Sequence, residues 1–98
     1  MPYTIEEIRT KAIPIAIHYG VDALSLFGSY ARGEADEKSD LDFLIQKGSM
    51  KGLFSYCGMI ADLEDIFQCH VDLVVKSAIK DKQFLEAIGK DEVKLYER

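Results

Sequence analysis

The sequence feature that most constrains the fold of this 98-residue chain is the short distance between two segments of β type. The first, Ala23–Phe27, is a short apolar run, and the second, Leu41–Gln46, carries an apolar side chain at every other position from its start. Residues 28–40 between them are too few for the full crossover helix that a parallel pairing would need. We therefore expect the two strands to be antiparallel neighbours.

Helical patterns flank this pair of strands. Thr4 and Glu7 form a predicted capping box at the start of a first helix, which Gly20 would end. A further helix is predicted over residues 53–67, because apolar side chains recur there with helical spacing. The predicted apolar face consists of Leu53, Tyr56, Cys57, Ile60, Leu63 and Phe67.

The remaining segments complete an α+β order. Val71–Val75 is a third strand, and the long helix before it allows a parallel pairing with a neighbouring strand. Ser77 is expected to cap a last helix that ends at Gly89, while residues 93–96 fit either a short strand or a helical turn. We predict a single domain over residues 1–98, with an α+β fold in which helices pack against a small mixed β-sheet.

Composition excludes several classes of protein. No apolar run approaches the roughly 20 residues of a membrane span, and no secretory signal is visible, so we expect a cytoplasmic protein that binds no membrane. The net charge is −5 and the basic residues are scattered, which argues against direct nucleic-acid binding. Cys57 and Cys69 show no disulfide or zinc pattern and are expected to be buried, reduced thiols.

Three features with chemical potential lie close to the ends of the predicted strands. Gly28 and Ser29 follow the first strand, where a glycine lets a phosphate approach the backbone and the hydroxyl adds a donor. Asp40 and Asp42 are two residues apart, so period-two alternation puts both carboxylates on one face. Asp72 interrupts the apolar third strand and joins this pair if that strand lies beside the second.

Such a cluster of carboxylates indicates a site for divalent cations. Three carboxylates packed together repel each other and take up protons unless cations compensate their charge. Mg²⁺ prefers hard oxygen ligands and binds carboxylates together with substrate phosphates. Two such ions can activate an attacking oxygen and stabilise a leaving one. The acids would then bind the metal ions, the ions would bind a triphosphate, and the turn at residues 28–29 would contact its phosphates.

Taken singly, these features also have structural explanations. The turn at residues 28–29 fits an ordinary strand end, and the two acids at the start of the second strand fit a solvated loop edge. Arg32 could contact phosphate or a partner, or form a surface salt bridge. His70 lies two residues before Asp72 and could share its face, although a structural role is favoured for it.

The spacing of these residues resembles a known signature. Gly28-Ser29, ten further residues and Asp40-Leu41-Asp42 are similar to the GSx10DxD pattern of the DNA polymerase β-type nucleotidyltransferase superfamily. The longer string at residues 27–35, together with Ser39 and the two acids that follow, resembles the minimal nucleotidyltransferase branch. Residues 71–74 are similar to the strand that carries the third acid in that branch.

The resemblance implies the nucleotidyltransferase fold and a set of residue roles. Asp40 and Asp42 would bind two Mg²⁺ ions, and Asp72 would complete one metal site and help to deprotonate the acceptor hydroxyl. The turn would bind the nucleotide, with the Gly28 backbone and Ser29 contacting the β- and γ-phosphates of ATP. The candidate catalytic and metal-binding residues are therefore Asp40, Asp42 and Asp72, and the candidate nucleotide-binding residues are Gly28, Ser29 and Arg32.

The resemblance also implies a partner. Members of this branch are often antitoxins that pair with a HEPN-domain RNase toxin and silence it by transferring AMP from ATP to a tyrosine. We therefore expect an Mg²⁺-dependent protein adenylyltransferase with a HEPN toxin as its partner. Two alternatives stay open: an enzyme that modifies a small hydroxyl compound such as an aminoglycoside, and a non-catalytic antitoxin that acts by steric binding.

Overall fold

A four-stranded mixed sheet organises the computed structural model, which describes residues 3–98. The helices are α1 (Ile5–Tyr19), α2 (Gly28–Arg32), α3 (Gly52–Phe67) and α4 (Lys82–Asp91). The strands are β1 (Ala23–Phe27), β2 (Leu41–Gln46), β3 (Val71–Val75) and β4 (Val93–Glu97). The predicted α+β class is confirmed.

The order of strands across the sheet is β3-β2-β1-β4. β1 pairs antiparallel with β2, as the short connection requires, and β2 pairs parallel with β3 through the crossover formed by α3. β4 adds to the free side of β1 in the antiparallel sense, with a register shift between Leu24 and Ser25. Both sequence-based predictions about strand direction are therefore confirmed.

The alternation along β2 separates the face that packs on α1 and α3 from the face that carries Asp42. Leu41, Phe43 and Ile45 are fully buried and belong to the same apolar cluster as the inner faces of α1 and α3. The ring of Phe43 lies 6.1 Å from that of Phe67, measured between centroids. Because successive side chains of a strand point to opposite faces, Asp42 faces away from this core.

The first helix ends as its sequence predicts. Thr4 accepts a hydrogen bond from the Glu7 amide while the Glu7 carboxylate accepts one from the Thr4 amide, which confirms the capping box. Gly20 adopts the left-handed conformation at the helix C-terminus, with φ of 73°. The helix continues through Pro14 as one element.

Two expectations for the C-terminal part are wrong. Ser77 lies in a 3₁₀ turn, Lys76–Ala78, and the cap of α4 is Asp81, whose carboxylate accepts a hydrogen bond from the Gln83 amide. Ser77 and Asp81 both have side chains suited to an N-cap, and the helix begins after the second of them. Gly89 lies inside α4, and residues 93–96, left open by the sequence, form most of β4.

The predicted apolar face of α3 is correct only in its second half. Leu63 and Phe67 are buried, together with Met59, whereas Leu53 is 74% exposed and its neighbour Phe54 is 96% exposed. Cys57 is exposed as well, so its expected burial is wrong, while Cys69 is half-buried. Leu53 and Phe54 lie in the first turn of α3, ahead of the positions that are buried. Within residues 3–98, no helix combines the length and the apolar character needed to cross a membrane.

Candidate active site

Asp42 and Asp72 are direct neighbours across the parallel pair. Their Cα atoms are partners in the register of β2 and β3, so their side chains emerge side by side from the same face of the sheet. Burial raises the pKa of the Asp42 carboxyl from its ordinary 3.8 to about 6, helped by a hydrogen bond with Asp72 and by the negative charges of Asp72 and Asp40. Burial and the neighbouring charges therefore both disfavour the ionised form of Asp42.

Asp40 joins the two acids from the residues just before β2. Asp40, His70 and Asp72 present one ligand atom each, and these atoms all lie within 4.8 Å of one another. All three residues are exposed, so this side of the cluster is open to solvent. The structure thus brings together the three carboxylates that the sequence singled out.

Gly28 lies directly against the same cluster. The preceding residue, Phe27, is the Cα partner of Asp42 in the β1–β2 register, and Gly28 has a φ of 74°. A Cβ added at Gly28 would overlap an Asp42 carboxylate oxygen, well inside the 3.0 Å that real Cβ atoms keep. The sequence suggested glycine for the sake of phosphate access. The structure adds a second reason, which is that the Asp42 carboxylate occupies the space a side chain would need.

The short helix α2 places Ser29 and Arg32 beside this turn. Ser29 is half-buried and directly follows Gly28, so its hydroxyl lies in the first turn of the helix. Arg32 is at the other end and is exposed, with its Nε 3.2 Å from Glu34 Oε2 and its Nη1 3.3 Å from Asp91 Oδ2. The positive charge of Arg32 acts against the rise in the pKa of Asp42.

His70 has a larger place in the cluster than the sequence interpretation gave it. Its Nε2 lies 3.2 Å from Asp72 Oδ1, and its Nδ1 lies 3.3 Å from Glu64 Oε2. The hydrogen bond with Asp72 raises the pKa of the imidazole, and the charges of Asp72, Asp40 and Glu64 add to this. The two-residue spacing from Asp72 was the available signal. The contribution of Glu64, from the last turns of α3, could not be inferred without the fold.

A groove with a volume of about 540 Å³ opens over this face of the sheet. Asp42, Asp72 and His70 line its acidic side, and Tyr56, Ile60 and Phe84 contribute aromatic and aliphatic surface. The hydroxyl of Tyr56 donates to the Leu73 carbonyl, which ties α3 to β3 below the groove. The volume falls within the range of small-molecule sites, and the mixture of polar and apolar walls suits a nucleotide.

The donor set fits divalent cations. Three carboxylates supply only oxygen ligands, which is the chemistry that Mg²⁺ requires. Burial, and after it the neighbouring acids, raises the pKa of Asp42, and a cation bound beside its carboxylate would favour the ionised form. A carboxylate cluster on a small mixed sheet, facing a glycine turn and a groove, defines the class of enzymes that transfer phosphorus-containing groups with the help of metal ions.

Comparison with known proteins identifies the family within that class. The model of the nucleotidyltransferase domain family matches residues 6–96. The chain belongs to this family and is therefore a nucleotidyltransferase.

Two relatives show how far the similarity extends. The chain is 39% identical over 88 residues to MJ0435 of Methanocaldococcus jannaschii, which is provisionally named a protein adenylyltransferase; the match spans 86% of this chain and 95% of the relative. It is 40% identical over 81 residues to the protein adenylyltransferase MntA of Thermococcus cleftensis, spanning 79% and 82% of the two chains.

Solved structures confirm the fold. A structure provisionally described as a minimal nucleotidyltransferase superposes with a TM-score of 0.78 at 26% identity, covering 93% of this chain and 95% of the other. An MNT antitoxin in complex with a tri-AMPylated Shewanella oneidensis HEPN toxin superposes with a TM-score of 0.73 at 15% identity, covering 97% of this chain and 74% of the other. The resemblance drawn from the sequence is confirmed, and the roles of the individual residues stay predictions.

Proposed function

We propose that this chain is a protein adenylyltransferase that moves AMP from ATP to a hydroxyl group of a partner protein. The observation that carries the proposal is the side-by-side placement of Asp42 and Asp72, opposite Gly28 and next to Asp40. The names of the two relatives support the choice of AMP as the transferred group and of a protein as the acceptor.

The acids would hold two Mg²⁺ ions. Asp40 and Asp42 would contribute to both sites, and Asp72 would complete the first. When bound, these ions would neutralise the triphosphate and polarise the acceptor oxygen and the leaving oxygen. Asp42 would bind in its ionised form, and the space kept free by Gly28 would let its carboxylate turn toward the ion.

The turn at residues 28–29 and Arg32 would bind the phosphates. The Gly28 backbone can approach the β- and γ-phosphates closely because no side chain intervenes, and the hydroxyl of Ser29 can donate to them. Arg32, itself exposed, would exchange one of its carboxylate partners, Glu34 or Asp91, for a phosphate oxygen. Such exposed ion pairs are worth little, so the exchange costs little.

The transfer itself is an in-line substitution at the α-phosphorus. The acceptor oxygen forms a bond to that phosphorus while the bond to the bridging oxygen of the β-phosphate breaks, and pyrophosphate leaves. Asp72, exposed at the groove, would take the proton of the acceptor hydroxyl. Positioning and charge stabilisation, rather than a covalent enzyme intermediate, would supply the catalysis.

The acceptor in this proposal is a tyrosine of a HEPN-domain toxin in the cytoplasm, and the chain acts as its antitoxin. The solved complex of an MNT antitoxin with an AMPylated HEPN toxin supports this choice. The exposure of Asp40 and Asp72 supports it as well, since a tyrosine on a second protein can reach acids that no other part of the described chain covers.

The test is transfer of label to the product of the neighbouring gene. The purified chain, that partner and Mg²⁺ are incubated with ATP labelled at the α-phosphate and, separately, at the γ-phosphate. The proposal expects label on a partner tyrosine from α-labelled ATP alone. Asp42→Asn and Asp72→Asn should abolish the label, and Asp65→Asn, an exposed acid of α3 outside the cluster, should keep it.

Two other results would reject the proposal in different ways. If the partner stays unlabelled and is still neutralised by Asp42→Asn and Asp72→Asn chains, the protein acts by steric binding. If the label appears on a small hydroxyl compound with no partner present, the acceptor is not a protein.

A further inference from the structure

Phe84 is an aromatic side chain that stays partly in solvent at the candidate site. It lies in the first turn of α4 and is 42% exposed, whereas Ile88, one turn further along the same side of the helix, is 4% exposed. Ile88 therefore packs α4 against the rest of the chain, and Phe84 extends that apolar side beyond the buried area. Exposure alone would not single out a phenylalanine, but the position of this one does.

Phe84 borders two adjoining cavities. One is the groove of about 540 Å³ over the acid cluster. The other has a volume of about 220 Å³ and is lined by Gly28 and Arg32, among others. Phe27 and Phe84 contribute to the lining of both cavities, so the Phe84 ring lies where the acid cluster adjoins the turn that is the candidate phosphate site.

A nucleotide bound as the proposed function requires must lie beside this ring. With its β- and γ-phosphates on Gly28 and Ser29 and its α-phosphorus at the acids, the nucleotide spans the junction of the two cavities. The ribose and the base continue from the α-phosphate, and Phe84 borders both cavities into which they can extend. In taking the turn as the phosphate site, this inference rests on the proposed function.

The other uncharged side chains of the groove offer contact surface rather than free hydrogen-bonding groups. Ile60 and Val74 are aliphatic. The hydroxyl of Tyr56 already donates to the Leu73 carbonyl. Every base has a π-face that can stack on an aromatic ring, and preferences then follow from the strength of stacking rather than from hydrogen bonds. A purine, with two fused rings, covers more of the Phe84 ring than a pyrimidine does.

We propose that Phe84 is the residue on which the nucleotide base stacks, and that this contact makes the chain bind purine nucleotides more tightly than pyrimidine nucleotides. The proposed function names the transferred group, and this inference adds the residue that holds its base. Base stacking requires neither a partner protein nor transfer, so the two proposals can be tested apart.

The direct test uses the absence of tryptophan from the chain. Phe84→Trp introduces a single indole, whose fluorescence should be quenched when ATP binds with Mg²⁺ and should not change with tripolyphosphate, which has no base. Phe54→Trp is the matched control, because Phe54 is 96% exposed and lies outside both cavities, and its fluorescence should respond to neither compound. Equal responses of the two variants, or no quenching of Phe84→Trp at saturating ATP, would overturn the proposal.

Calorimetry of the chain alone provides the quantitative test. Phe84→Leu keeps an apolar side chain but removes the ring, so it should weaken ATP binding by about 5- to 150-fold and leave tripolyphosphate binding unchanged. Phe84→Tyr should keep the affinity for ATP. The unsubstituted chain should bind ATP more tightly than CTP, and Phe84→Leu should narrow that difference.

Two calorimetric results would overturn the proposal. An equal loss of tripolyphosphate and ATP affinity in Phe84→Leu would show that Phe84 only supports the packing of α4. Equal affinities of the unsubstituted chain for ATP and CTP would remove the purine preference.

Transfer assays separate this inference from the proposed function. A chain that stacks ATP on Phe84 but transfers no AMP to its partner would reject the proposed function and keep this inference. Transfer by Phe84→Leu with an unchanged KM for ATP would reject this inference and keep the proposed function.

Discussion

Replacement of Gly28 by alanine tests whether the glycine serves the acid cluster rather than the backbone alone. Gly28 and Gly33 have almost the same φ, 74° and 75°, so an alanine at either position meets the same backbone strain. They differ in their surroundings. A Cβ at Gly28 would overlap the Asp42 carboxylate, whereas a Cβ at Gly33 would have no heavy atom of the described chain within 4 Å. Gly33→Ala is therefore the matched control.

The expected losses of stability follow from the backbone strain at both glycines and from the overlap with Asp42 at Gly28 alone. A left-handed alanine costs about 1–2 kcal/mol, and this applies to both variants. In Gly28→Ala the Asp42 side chain must also leave its rotamer, which adds about 0.5–1.5 kcal/mol. For a domain of this size, about 1 kcal/mol lowers Tm by about 4–8 °C, so Gly28→Ala should unfold several degrees below Gly33→Ala.

Thermal unfolding in EDTA and AMP transfer are the two assays. A carboxylate displaced by about 1 Å should reduce transfer by about 100-fold in Gly28→Ala, while Gly33→Ala keeps most of its activity. A double-mutant cycle with Asp42→Ala isolates the contact, because the extra loss of stability should disappear once the carboxylate is absent. Equal destabilisation of Gly28→Ala and Gly33→Ala, with the same result in the Asp42→Ala background, would refute the reasoning.

Three further predictions concern stability. The pKa of Asp42 in the folded chain is about 6, above its ordinary 3.8, so the folded state holds this proton more tightly than the unfolded state does. The free energy of unfolding should therefore fall as the pH rises from about 4 through 6. In denaturant titrations, Asp42→Asn should stabilise the metal-free chain at pH 8 by about 1–2 kcal/mol after solvent screening, with no gain at pH 4. Gln68 ends α3 in the left-handed conformation, with a φ of 54°, which glycine adopts without strain. Gln68→Gly should therefore raise the free energy of unfolding by up to about 1 kcal/mol. An unchanged Tm would contradict this prediction. Ser25 is buried and its hydroxyl donates to Glu92. Ser25→Ala should lower the free energy of unfolding by about 1–3 kcal/mol, because it leaves the Glu92 carboxylate without this donor. If Ser25→Ala causes the same loss of stability in a Glu92→Gln background, the loss comes from packing instead.

Much of the fold was accessible from the sequence because local signals agree with the tertiary arrangement. The capping box at Thr4 predicts the start of α1, and the short connection before β2 predicts the antiparallel pair. The helix before β3 allows the parallel pairing that makes the sheet mixed. The errors occur where burial depends on distant elements. The first turn of α3 has the helical periodicity of a core face, but Leu53 is 74% exposed.

The candidate site, like the fold, was predictable from the sequence only in part. The spacing of Gly28 from the acids and the isolated charge of Asp72 were visible as patterns, so their convergence was predicted and is observed. The second role of Gly28 and the contact of Glu64 with His70 were not predictable. Both depend on distances that only the β1–β2 register and the packing of α3 determine.

The direct pairing of Asp42 with Asp72 has a consequence for how this protein can diverge. In a strand, a shift of one residue moves every side chain to the opposite face, so a single insertion within β2 or β3 would send a charged acid into the apolar interior. Length changes inside these strands are therefore tolerable only in steps of two. Related chains should vary in the length of the surface loops outside residues 28–42, while the number of residues from each acid to the end of its strand should change only by even numbers.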